Sequence, residues 1–239
     1  MKKNKMMRTA SGLLVATLLT TSVISGTFAK YTTTASGSDS ARVAKFGVKI
    51  NANGDMFATE YAKDDKSASI TSASSVISSK TNEKVVAPGT KGDLVNAIIT
   101  GTPEVAVHVA YEPTLTLTGW TAEDTTTEYC PIVFKVNDKT YGLNGIKDAA
   151  GKVVDNQSTT ITELKTAVEN AIKAYSKDYE PNTDLSKKNA DYVNVSWEWA
   201  FDKNDDVKDT YLGDCAADDK TDNDSKVELS IKTTVTQID

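Results

Sequence analysis

The chain has 239 residues, a formal net charge of −6 and a single histidine. An acidic balance of this kind excludes binding to nucleic acid or to an anionic membrane surface through a general electrostatic field. One imidazole, with no HExxH pattern, leaves too little for histidine-ligated zinc hydrolysis, and the sequence has no G-x-S-x-G nucleophile elbow.

The N-terminus reads as an export signal. Lys2, Lys3, Lys5 and Arg8 precede an apolar run, Leu13 to Ile24, of twelve residues that include three threonines and a serine. That run is too short and too hydroxylated to span a bilayer, which takes ~20 apolar residues. Thr27 and Ala29 supply the small residues of a cleavage site, so the cut is expected between Ala29 and Lys30. Residues 1–29 hold four positive charges and no negative one, so the mature chain of 210 residues carries −10. It is long enough to bury a sizeable core as one large β-domain or two small ones. It is expected to be secreted, free or held at the cell surface by protein contacts.

Residues 30–41 are polar and hydroxyl-rich, with Tyr31, Thr32, Thr33 and Thr34 giving β-propensity and Gly37 loosening the end. Such a segment cannot offset its own ordering entropy. It is either a disordered tail or a strand that adds to an exposed sheet edge, where backbone hydrogen bonds are the main gain. The first clear strand is residues 41–51, with Ala44, Phe46, Val48 and Ile50 on one face and Lys45 and Lys49 on the other. Asn53-Gly54-Asp55 turns the chain, and the Ser/Ala/Thr-rich stretch 67–79 is a thin edge strand. Pro88-Gly89 is a turn before a strand at 94–100.

The most β-rich part follows. Val105, Val107, Val109 and Tyr111 share a face, and Pro113 is expected to interrupt the ladder before residues 114–118. His108 lies in the middle of this strand, where packing or a hydrogen bond is its expected role. Residues 132–136 and 140–143 flank Asn137-Asp138-Lys139 as a hairpin.

One amphipathic helix is expected over about 160–177. Thr160 and Glu163 have capping-box spacing, Ile161, Leu164, Val168, Ile172 and Tyr175 form the apolar stripe, and Pro181 ends it. It is read as a lid across one end of a sheet sandwich. Strand returns at 192–201, with Trp197 and Trp199 on one face, and the last strand alternates Val227, Leu229, Ile231, Thr233 and Val235.

Two features concern chemistry. The stretch 202–224 holds nine aspartates against three lysines and reads as a solvated loop. Asp202, Asn204 and Asp206 place oxygens at alternate positions, as hard cations prefer, so weak calcium binding is the competing reading. It is not an EF-hand, since Val207 and Gly213 stand where glycine and glutamate are required. Cys130 and Cys215, both exported, permit one disulfide closing a loop of roughly 85 residues, for which the chain-entropy model gives ~4–5 kcal/mol; two free buried thiols are the alternative.

The segment GTFAKYTTTASGSDSARVAKFGV at the signal-to-strand junction resembles the start of the TasA/camelysin-like family of biofilm-matrix proteins, which are exported through a dedicated signal peptidase. VAPGTKGDLVNAIITG, WEWAFDKNDDVKDTYLGD and VELSIKTTVTQID, from residue 86, residue 197 and residue 227, are similar to further pieces of that family. The resemblance implies a jelly-roll-type antiparallel β-sandwich, here a single domain over 42–239, and polymerisation into extracellular fibres. In such fibres the freed N-terminal strand of one subunit pairs in the next, so residues 30–41, Tyr31 to Thr34 above all, are the expected donor. The partners implied are the chain itself, the signal peptidase and other matrix proteins. Camelysin-like relatives have been described as metallopeptidases, an activity that one histidine does not support, so no catalytic residue and no cofactor are expected. The alternative function is an extracellular glycan- or protein-binding sandwich using Trp120, Trp197 or Trp199.

Overall fold

The computed structural model describes residues 42–51, 56–63, 71–94, 98–124, 126–188, 191–217 and 225–239. The signal sequence, the Ala29–Lys30 cleavage pair, the donor residues Tyr31, Thr32, Thr33 and Thr34 and the turn at Asn53 lie outside the described residues. The chain divides into the units Met1–Val43 and Ala44–Asp239, and every described strand and helix belongs to the second.

That unit is mostly β, built from several sheets. In chain order the strands are β1 Lys49–Asn51, β2 Glu60–Ala62, β3 Ser74–Ile77, β4 Lys91–Leu94, β5 Ile98–Thr100, β6 Val107–Thr118, β7 Ile132–Val136, β8 Lys139–Leu143 and β9 Asn156–Ser158. Helix α1 spans Ile161–Lys173, followed by β10 Lys177–Tyr179, β11 Val195–Trp199, helix α2 Asp206–Ala217 and β12 Lys226–Gln237. A five-stranded sheet runs β4-β11-β7-β8-β9 and a three-stranded sheet runs β10-β6-β12; β1 pairs β5, and β2 pairs β3. The pairs are antiparallel except β8 with β9, so the antiparallel expectation fails at that rim.

One apolar core joins the two larger sheets. Val107, Val109 and Leu115 of β6, Phe134 and Val136 of β7, and Val195 and Trp197 of β11 all lie in it. Helix α1 closes it with Leu164, Val168 and Ile172, and touches β6 on one sheet and β7, β8 and β9 on the other. Thr160 caps this helix, its hydroxyl accepting from the Glu163 amide at 3.1 Å. The reciprocal bond shifts one residue, because the Glu163 carboxylate takes the amide of Thr159 at 2.8 Å.

Several sequence expectations are corrected. The strand at 41–51 shrinks to β1, because Gly47 turns to φ +50 and its carbonyl lies 2.4 Å from where a Cβ on Gly101 would stand. Two backbones in contact leave no room for a side chain, and the positive φ breaks the extended run. The strand at 94–100 is two, β4 and β5, in different sheets. Helix α1 ends at Lys173, and β10 already runs before Pro181 is reached.

Pro113 does not interrupt β6. It stands opposite Ile231, and the ladder phase makes that pair a non-hydrogen-bonded one. The phase follows from Ile238, whose amide donates to the Ala106 carbonyl at 3.0 Å, since bonds to β6 then recur at every second residue. The odd-numbered amides of β6 face away from β12, toward β10 at Val107 and Val109 and, further along, toward α1 and the residues that follow it. Tyr111 N–H donates to Ser176 Oγ at 3.1 Å and Leu115 N–H to Glu169 Oε1 at 2.9 Å. A proline between them loses no strand-to-strand bond.

A second helix, α2, stands where a solvated loop was expected. Asp205 Oδ1 caps it by accepting from the amides of Val207 and Lys208 at 3.1 and 3.2 Å. Asp206 and Asp209 in the first turn suit the positive end of the helix dipole. Leu212 is its one buried residue, so no apolar stripe marked it in the sequence.

Candidate functional site

The residues singled out for chemistry do not come together. His108 Nδ1 lies 2.5 Å from Asp178 Oδ1, a side-chain hydrogen bond between β6 and β10 on the solvent side. Asp202 pairs with Lys203 at 2.7 Å. The Asn204 side chain is held by the Lys147 backbone, accepting from its amide at 2.9 Å and donating to its carbonyl at 3.3 Å. Asp206 enters α2. Among the described residues no group of three or more His, Cys, Asp or Glu side chains is placed to hold a metal ion.

Cys130 and Cys215 are free thiols, so the expected disulfide is not formed. Cys130 is sealed in the core, and burial pushes its thiol up to about 12. Cys215 sits on α2 one turn from Tyr211, whose hydroxyl it engages.

The three tryptophans are interior, with Trp120, Trp197 and Trp199 exposed by only 1, 2 and 5%. Each indole N–H already has an acceptor: Lys226 O at 2.8 Å, Met56 O at 2.8 Å and Asp209 Oδ2 at 3.3 Å respectively. A stacking platform of exposed indoles is therefore not available. Around Trp199, Asp209 also accepts from the Tyr129 hydroxyl at 2.7 Å. Burial raises the Asp209 carboxyl above the usual carboxylate range, and the same burial raises the Tyr129 phenol. Lys208 lies over the Tyr129 ring, 5.2 Å from its centroid. This polar latch, with Leu212, docks α2.

What the fold does present is an open strand. β12 is twelve residues long, and among the described residues β6 is its one partner. The ladder phase sends the amides and carbonyls of Val227, Leu229, Ile231, Thr233, Val235 and Gln237 outward, away from β6. Val227, Leu229, Ile231 and Val235 point to the core face yet remain half-buried. Their β6 neighbours on that face, Val109, Leu115 and Leu117, are fully buried. Among the described residues nothing pairs with β12 on its outer side.

Natural sheets protect such an edge with proline, a bulge or an inward-pointing charge. β12 carries Lys226, Glu228 and Lys232 on its solvent face but no proline, bulge or inward-pointing charge, and its twelve pairs with β6 run without a register shift. The remaining rims are shorter, four residues at β4 and three at β9 and β10. The sequence placed β12 correctly as a strand, but its alternation is the same for a central strand and for an edge.

Comparison with protein-family models, with curated proteins and with solved structures finds no match to this chain.

Proposed function

We propose that the chain is a secreted structural subunit of extracellular biofilm-matrix fibres, joined head to tail by strand donation. The observation that carries this reading is the long edge of β12, which pairs only with β6 among the described residues. In this mechanism, cleavage between Ala29 and Lys30 frees residues 30–41 of one subunit. Tyr31, Thr32, Thr33 and Thr34 then pair along β12 of the next. The hydroxyl-rich segment lacks apolar residues to hold it in its own domain, and β12 offers both backbone partners and half-covered aliphatic side chains. A head-to-tail contact that does not close on itself grows a filament rather than a ring.

Two further points support the reading. The segments resembling the TasA/camelysin-like family include the whole of β12 apart from Lys226, and the junction that would yield the donor. The mature charge of −10 keeps free subunits apart until donation holds them. The jelly-roll-type sandwich belongs to the same proposal, as do a dedicated signal peptidase and other matrix proteins as partners; no catalytic role is proposed.

Negative-stain microscopy of the chain beginning at Lys30, beside a form lacking residues 30–40, tests the proposal. The first is expected to give filaments and the second a folded monomer. Filaments of normal length from the shortened form would overturn it.

A further inference from the structure

We propose that the solvent face of the five-stranded sheet carries a binding trough for a neutral polyhydroxylated chain, that is, an oligosaccharide. Two hollows of about 340 and 370 Å³ lie on this face and share Asp93, Lys135 and Ser196 in their walls. Strand register explains the shared wall. Ser196 of β11 stands opposite Asp93 of β4 on one side and opposite Lys135 of β7 on the other, so the three form one row across the sheet.

The Cα atoms of Asp93 and Lys135 are two strand spacings apart, roughly 10 Å, with Ser196 between them. None of the three side chains has a hydrogen-bond or ion-pair partner among the described residues. The row thus offers a carboxylate acceptor, a hydroxyl that both donates and accepts, and an ammonium donor. All three stand on rigid strands, as a preorganised site requires.

The kind of ligand follows by exclusion. An incoming strand finds no free amides, since β11 is laddered on both sides. An anion is disfavoured, because the carboxylates of Asp93, Asp138, Asp148 and Glu198 outnumber the ammonium groups of Lys91 and Lys135 in the lining. A metal ion lacks a converging oxygen set. An apolar ligand would desolvate these polar groups without pairing them. A neutral chain of hydroxyls can donate to Asp93 and accept from Lys135 at once. Trp197 contributes to the wall of the second hollow, but it is 2% exposed and offers no stacking face, and the site stands independently of strand donation.

The test is titration calorimetry and NMR on the chain beginning at Lys30, with cellohexaose and chitohexaose as neutral probes and an oligogalacturonate as the anionic one. Saturable binding of a neutral probe is expected, weakened at least tenfold by Lys135→Ala and by Ser196→Trp, which fills the trough. Both positions are on the solvent face, and circular dichroism checks that each variant folds. Filament formation by both variants is expected to be unchanged, so failure here is separable from failure of the fibre reading. No saturable binding of either neutral probe, equal binding by the variants, or preference for the anionic probe or for hexalysine as a cationic one would overturn the proposal.

Discussion

Replacing Thr233 by proline separates the two sides of β12. Thr233 stands opposite Tyr111 and is odd-numbered, so its amide faces outward and serves no bond to β6. Proline there removes one donor from the open edge and places its ring where an incoming carbonyl would sit. The lost bond is worth ~1 kcal/mol. The ring also holds the neighbouring bonds apart, so each junction is expected to weaken by about 2–3 kcal/mol, or about 30- to 150-fold in the concentration at which filaments form. Thr234→Pro is the control, since that amide donates to β6; it is expected to destabilise the monomer itself. Sedimentation gives the assembly threshold and urea unfolding gives monomer stability. Normal filaments from Thr233→Pro at the wild-type threshold, with the monomer intact, would refute the assignment of β12 as acceptor.

Three further outcomes are expected. Glu169→Ala leaves the Leu115 amide without its acceptor on the α1 side of β6 and should cost about 1–3 kcal/mol in urea unfolding, whereas Glu169→Gln keeps an acceptor and most of the stability; a loss under about 0.5 kcal/mol for the alanine form would contradict the role given to α1. Burial raises the Asp209 carboxyl, and a raised folded-state value means that its stabilising contribution is full in acid and lost as pH rises from about 4 through the folded value. Wild type compared with Asp209→Asn should therefore lose relative stability between pH 4 and pH 7, while Asp155, held at about 2 by Lys152 and Thr140, acts in the opposite sense in both proteins and cancels; an equal difference at both pH values would contradict a buried Asp209 charge. A thiol reagent should label Cys215 in the native protein well before Cys130, with both reactive after unfolding; a mass lower by two hydrogens and no reactive thiol would show that the two are bonded.

The alternation of apolar residues made β6, β11 and β12 legible in the sequence, because each buries one face against the shared core, and the turn residues Asn137-Asp138-Lys139 marked the β7–β8 hairpin. Helix α1 was legible for the same reason, through the stripe from Leu164 to Ile172 and the cap at Thr160. Helix α2 was not: capping by Asp205 and the polar latch of Asp209 hold it, and neither leaves a periodic signal. Pro113 misled because the phase of the β6–β12 ladder, which decides whether a proline costs a bond, is a property of the paired strands. Gly47 and Gly101 likewise acquire meaning only when the two segments meet. The edge at β12 depends on strand order, and the polar row of Asp93, Ser196 and Lys135 depends on register across three strands. Both features arise from pairing between distant segments, to which a local pattern is blind.

Backbone hydrogen exchange along β12, read residue by residue before and after assembly, tests the strand-donation account most directly. In the monomer the amides of residues 228, 230, 232, 234 and 236 should be protected by β6, while those of 227, 229, 231, 233, 235 and 237 exchange freely. On assembly the second set should become protected while the first changes little. Odd-numbered amides that are already protected in the monomer, or that stay exposed in the filament, would contradict it.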